Sequence, residues 1–169
     1  ARKLAGALDE IARLAPGELD VTGARCLDAG ASTGGFTQVL LGRGAVHVLA
    51  VDVGHGQLDP VLAGDPRVTA VERVNVRDLD LDALGAREAV TARAGEAVDV
   101  VVADLSFISL RQVVAALVRA TRPGGDLVLL VKPQFEVGRA RLGRGGVVVS
   151  PQLRAEAVAG VAEDLAALG

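Results

Sequence analysis

The sequence predicts an α/β fold, a doubly wound parallel sheet with helices on both faces. Three observations carry that expectation. Five short Val- and Leu-rich runs recur along the 169 residues, each followed by a helical pattern or a polar loop. The runs are nearly continuously apolar rather than alternating, as strands covered on both faces are. The first of them ends in a carboxylate and a small-residue turn, Cys26-Leu27-Asp28-Ala29-Gly30-Ala31-Ser32-Thr33-Gly34-Gly35-Phe36, which opens straight into an amphipathic pattern.

Residues 2–15 read as a helix with Leu4, Leu8, Ile11 and Ala15 on one face, stopped by Pro16-Gly17. Strands are expected at 24–29, 46–52, 67–72, 98–104 and 126–132, and further helices at 35–42, 56–63, 79–94, 109–120 and 152–168. Gly85 and Gly95 interrupt the alanine-rich stretch at 79–94. The last helix carries Ser150 as N-cap and Pro151 in its first turn. A further strand is expected after Gly169, so the chain reads as one domain whose C-terminal strands lie outside it.

Composition narrows the class. Mean hydropathy is +0.40, yet the apolar excess is Ala and Val spread throughout, and no run approaches the roughly 18 apolar residues of a membrane span. No signal peptide is visible. The single Cys26 lies inside the first strand, which excludes a disulfide framework and points to a reducing, cytoplasmic setting. A net charge of −3 means that nucleic-acid affinity must come from a local patch or another domain. Among 18 basic residues only Lys3 and Lys132 are lysines, and an ammonium can lose its proton when desolvated whereas a guanidinium cannot.

In a doubly wound sheet, ligands bind beyond the carboxyl ends of the strands. A dinucleotide fingerprint would space its glycines G-x-G-x-x-G; here they fall at 30, 34 and 35, with Asp28 two residues before the first. An acid there repels a pyrophosphate and suits a cationic amino-acid cofactor such as S-adenosylmethionine. Asp52, ending the next run, can accept hydrogen bonds from both ribose hydroxyls. Helix capping is the alternative for both acids. Asn75 and Asp78, after the third strand, suit either an adenine edge or a turn. His55 is a candidate base or a polar neighbour of the cofactor; His47 has no evident partner. No His or Cys pair stands at ligand spacing, so no metal is expected.

Asp104 closes the fourth run and Lys132 the fifth. If those strands are neighbours, a carboxylate and an ammonium lie side by side at the sheet's edge, and partial burial lowers the lysine pKa toward a proton-accepting range. A plain ion pair is the alternative. Lys3 reads either as a second cation nearby or as a solvated helix residue. Residues 133–150 read as a long loop whose Arg139, Arg141 and Arg144 suit phosphate contacts, or as a solvated loop.

Four strings, 28–37, 51–58, 103–110 (Ala-Asp-Leu-Ser-Phe-Ile-Ser-Leu) and 130–138 (Leu-Val-Lys-Pro-Gln-Phe-Glu-Val-Gly), together resemble the TlyA-type, haemolysin-like ribosomal RNA methyltransferases, which share a fold with FtsJ-like 2′-O-methyltransferases. The resemblance implies a Rossmann-like sheet and a Lys-Asp-Lys-Glu tetrad, whose first three members match Lys3, Asp104 and Lys132. The fourth has no counterpart in these residues. Nor does the family's S4-like RNA-binding domain, and the resemblance therefore implies a piece of a longer protein. The cofactor, S-adenosylmethionine leaving as S-adenosylhomocysteine, is then expected on Asp28, Gly30, Ser32, Thr33, Gly34, Gly35, Phe36, Asp52, Val53, Asn75, Val76 and Asp104. The implied reaction is in-line methyl transfer to a ribose 2′-oxygen of cytidines in small- and large-subunit rRNA, with Lys132 taking or steering the proton. Ribosomal subunits would be the partners, through Arg139, Arg141 and Arg144. The rival readings are an NAD-dependent oxidoreductase and a membrane-active haemolysin.

Overall fold

The computed structural model describes residues 1–85 and 95–169. Five parallel strands, β1 (Arg25–Ala29), β2 (His47–Val51), β3 (Val68–Val71), β4 (Val98–Ala103) and β5 (Thr121–Leu129), form one sheet in the order β3-β2-β1-β4-β5. Among the described residues the α-helices are α1 (Arg2–Leu14), α2 (Gly35–Gly42), α3 (Pro60–Ala63), α4 (Leu81–Gly85), α5 (Val114–Ala120), α6 (Pro133–Glu136) and α7 (Pro151–Ala166).

Successive strand side chains point to opposite faces, and the sheet consequently sorts its apolar residues into two cores. Cys26, Val48, Val100 and Val102 pack with Leu4 and Leu8 of α1 and Phe36 and Leu40 of α2. Leu27, Leu49, Val101 and Ala103 pack on the other face with Val114 and Leu117 of α5 and Val161 of α7. Both faces are thereby covered, the expected fold. Burial pushes the Cys26 thiol up to about 12, leaving it an inert core residue at neutral pH.

Where elements differ from expectation the reason is local. Asp59 caps α3 by accepting from the Val61 N–H at 2.8 Å, with Pro60 in the first turn, so the helix starts there and not at residue 56. Ser109 caps a 3-10 turn at Leu110–Gln112, and Val113, with φ −123°, separates it from α5. The fifth strand begins earlier than 126, at Thr121, because a bulge lets Thr121 stand opposite Val98 while Asp126 pairs with Val100. It ends at Leu129, so Lys132 lies past the strand as the N-cap of α6. Of the helix expected over 79–94, Leu81–Gly85 is helical and 86–94 lie outside the described residues. Among the described residues, no helix is long and apolar enough to cross a membrane.

Candidate active site

The strand order reverses between β1 and β4. Connections leaving these two neighbours go opposite ways, which opens a crevice beyond their carboxyl ends. Two clefts occupy it, of about 550 Å³ and about 460 Å³, and both are walled by Gly30, Ser32, Asp104 and Ser106.

The first cleft runs over the ends of β1, β2 and β3, past Asp52, Val53, Asn75 and Val76. Its geometry is set by backbone. At Gly30, with φ +84°, an added Cβ would lie 3.0 Å from Leu105 Cδ2 and 3.2 Å from the Asp104 carbonyl oxygen, so a side chain would push the two walls apart. Gly34, with φ +92°, is the N-cap of α2 and packs under Leu58 and Leu62 instead of facing either cleft. Asp52 accepts from the Ser32 N–H at 2.8 Å and the Gly54 N–H at 2.7 Å. Each of its oxygens keeps free acceptor capacity beside the cleft, which fits a ribose diol. Asn75 accepts from the Arg77 N–H at 3.0 Å and so forms a turn, while its residue also lines the cleft. Asp78 closes that turn through its N–H and lines neither cleft.

Asp28 sits beneath the cradle. It is wholly buried, lines neither cleft, and accepts from the Thr37 N–H at 2.8 Å and the Thr37 hydroxyl at 2.7 Å, pinning the first turn of α2. Burial pushes its carboxyl up to about 6, against the pull of those two hydrogen bonds. Its other oxygen is buried without a hydrogen-bond partner. The capping alternative describes this placement.

The second cleft lies over α1 and α2, with Lys3, Thr33, Gly35, Phe36 and Lys132 on its walls. Between the two clefts stands Asp104. Its Oδ1 meets Lys132 Nζ at 2.6 Å and its Oδ2 meets Lys3 Nζ at 3.0 Å. Lys132 also donates to the Ser106 hydroxyl at 2.8 Å. The side chain of Lys132 is 16% exposed against 61% for Lys3, so the Lys132 pair is shielded and the Lys3 pair is largely solvated. Partial burial opposes ionisation of Asp104, yet the contacts from Lys132 and Lys3 outweigh it and hold the carboxyl below its ordinary range. The three residues come together although 101 positions separate Lys3 from Asp104.

Among the described residues, the non-glycine residues in the left-handed region, Ser32, Arg73 and Phe107, all follow strand ends around this crevice. Such strain costs on the order of 1–3 kcal/mol each and gathers where a site needs it. Phe107 is 93% exposed, and its ring lies 5.6 Å from that of Phe135. Residues 133–150 are no plain loop, because α6 and two 3-10 turns, Arg139–Arg141 and Arg144–Gly146, punctuate them. Arg139 and Arg144 are exposed outside both clefts, while Arg141 pairs with Glu156 of α7 at 2.5 Å. His55 pairs with Glu72 and lines neither cleft; His47 bonds the Thr69 hydroxyl at 2.9 Å. Arg77, within the 73–78 strand end expected to carry function, lines the first cleft, as do Gln57 and Gln112, which lie beyond the strand ends the sequence marks. No spacing signal marks them, because they reach the cleft from turns whose course only packing determines.

Residues 1–168 match the sequence profile of the FtsJ-like methyltransferase family. Over all 169 residues the chain is 54% identical to the 16S/23S rRNA (cytidine-2′-O)-methyltransferase TlyA of Mycobacterium tuberculosis, and it spans 57% of that protein's length. A solved structure of a hemolysin-named protein from Lactococcus lactis superposes with a TM-score of 0.84 at 34% identity, over 99% of this chain and 73% of that one. An S-adenosylmethionine dependent methyltransferase from Mesorhizobium loti shares the fold, with a TM-score of 0.54 at 19% identity over 79% of this chain and 56% of that one.

Proposed function

The chain belongs to the FtsJ-like methyltransferase family, and from that premise we propose that it is the catalytic part of an S-adenosylmethionine-dependent enzyme methylating ribose 2′-hydroxyls of ribosomal RNA. Its nucleotides are cytidines if it follows the M. tuberculosis relative, and its workplace is the cytoplasm. One observation carries the reading: the Asp104 carboxylate, gripped by Lys3 and Lys132, stands where the two clefts meet.

The residues fit the cofactor. Asp52 has acceptor capacity for a ribose diol, Val53, Asn75 and Val76 flank the space beyond it, and the second cleft extends from the shared wall past Thr33, Gly35 and Phe36. Bound there, S-adenosylmethionine supplies an electrophilic methyl group on a sulfonium. Asp28 holds the turn from below. Asp104 favours the sulfonium's positive charge and fixes the two ammonium groups. Lys132, oriented by Asp104 and Ser106, takes or steers the proton of the attacking hydroxyl. Lys3 balances the carboxylate from the solvent side. Alignment of donor and acceptor can supply up to roughly 7–11 kcal/mol of the barrier, which is why two fixed clefts on one carboxylate suffice with few reacting groups. Arg139 and Arg144, free of the clefts and exposed, suit the phosphate backbone.

The test is calorimetric titration of the complete protein with S-adenosylmethionine, S-adenosylhomocysteine and NAD, followed by tritiated methyl transfer to ribosomal subunits. Binding of the first two with label in ribose 2′-O-methyl is expected. Binding of NAD alone would return the oxidoreductase reading.

A further inference from the structure

We propose that Glu136 is a positioning residue for methyl transfer, the second of two tethers that hold the segment carrying Lys132 against the β4 side of the site. The inference rests on the methyl-transfer reading for its kinetic consequence and on geometry for the tether itself.

The segment from Lys132 to Glu136 is a single helical turn, α6, preceded by its N-cap Lys132. Lys132, extended at the N-cap, and Glu136, at the end of the turn, both reach the same neighbour. That neighbour is the stretch after β4. At one end Lys132 reaches Asp104 at 2.6 Å and Ser106 at 2.8 Å. At the other end the Glu136 carboxylate accepts from the Ser109 hydroxyl at 2.5 Å and from the Leu110 N–H at 2.9 Å. Between the two tethers the rings of Phe107 and Phe135 touch. The two strips are thus laced together at three levels, with Lys132 at the end nearest the reacting atoms.

Glu136 faces inward, so its charge balances none of the arginines in 133–150; it spends both oxygens on Ser109 and Leu110. Hydrogen bonds to an ionised acceptor are roughly twice as strong as neutral ones, and they act at the start of the Leu110–Gln112 turn. That turn reaches the first cleft, where Gln112 accepts from Arg77 at 2.5 Å. Glu136 therefore joins the segment that bears the proton-handling lysine to a wall of the larger cleft. Without it the far end of α6 loses its hydrogen bonds to this stretch and is left with the Phe107–Phe135 ring contact, and the lysine's placement loosens. A displacement near 1 Å can cost about a hundredfold in rate.

The experiment compares Glu136→Ala and Glu136→Gln in the complete protein, with Ser109→Ala as the milder variant. Gln preserves both contacts, since its carbonyl accepts from Leu110 and its amide donates to the Ser109 oxygen. Glu136→Ala is expected to lower kcat by about tenfold to a hundredfold, with cofactor affinity within a few-fold and Glu136→Gln recovering most of the loss. Hydrogen exchange reads the tether without turnover: the Leu110 amide and the 133–137 amides should exchange faster in Glu136→Ala. Wild-type kcat in Glu136→Ala overturns the proposal, as does unchanged exchange, or a Gln variant as poor as Ala. If Glu136→Ala does not fold, Ser109→Ala and Glu136→Gln decide, and wild-type behaviour of Ser109→Ala in both kcat and exchange overturns it. A wild-type protein that transfers no methyl while showing the expected exchange difference refutes the function and leaves the tether standing.

Discussion

The two halves of the crevice are built from different materials. On the β1–β2–β3 side the acids are committed to the main chain: Asp52 to the Ser32 and Gly54 amides, Asp28 to the Thr37 amide and hydroxyl. On the β4–β5 side Asp104 is committed to two ammonium groups at the ends of long side chains from separate elements. A carboxylate held by backbone amides cannot move without unfolding a turn, so that half is a rigid mould. A carboxylate between lysines keeps its charge partners adjustable, which suits a site where a proton must move. Binding and chemistry are accordingly separable by mutation, and the comparison breaks if they are not.

The largest effect is expected at Lys132. Lys132→Ala should lower methyl transfer by about 10²–10⁴-fold, the range for loss of a general acid or base, with S-adenosylmethionine affinity within a few-fold. Tritium incorporation into ribosomal subunits and calorimetry read the two quantities, and near-normal turnover would strip Lys132 of the proton.

Next comes Asp28, whose change should move stability and not turnover. Its folded-state carboxyl is raised from 3.8 to about 6. Between those values the folded protein binds the extra proton, so the group's favourable contribution is full below pH 3.8 and is lost as pH rises through 6. The loss amounts to about 3 kcal/mol. Asp104 and Asp99, both held below their ordinary range, tilt stability the other way; subtraction is therefore needed. The urea stability of Asp28→Asn minus that of wild type should grow from pH 4 to pH 6.5. A flat difference would mean that Asp28 ionises without penalty.

The smallest of the three is Asp52→Ala, expected to weaken S-adenosylmethionine binding by about ten- to a hundredfold, the worth of hydrogen bonds to a charged group. Unchanged calorimetric affinity would remove Asp52 from the ribose, and a selective loss of kcat would contradict the division between the two halves.

Much of this was legible in the chain. The five apolar runs became the five parallel strands, because a strand buried on both faces has to be apolar at nearly every position. The expectation that Asp104 and Lys132 lie side by side holds, since it needed only that β4 and β5 be neighbours. Other features were illegible for physical reasons. From the residues alone Lys3 reads either as a second cation near the site or as a solvated helix residue, until α1 packs through Leu4 and Leu8 and brings it to Asp104. Asp28 reads as a cofactor ligand and proves a cap, because a side chain's direction depends on the face its strand position assigns. The 133–150 stretch reads as loop because one-turn helices carry no periodicity.

The sequence by itself determined the fold class, the strand ends where chemistry gathers, and the glycine-and-acid turn that opens α2, since periodicity and backbone permissiveness are local properties. Only the tertiary structure decided which charges meet: that Asp104 holds both lysines, that Asp28 lies under the cradle, and that Glu136 turns inward to Ser109 and Leu110. Those contacts join residues far apart in the chain, and their distances are set by how helices pack on the sheet.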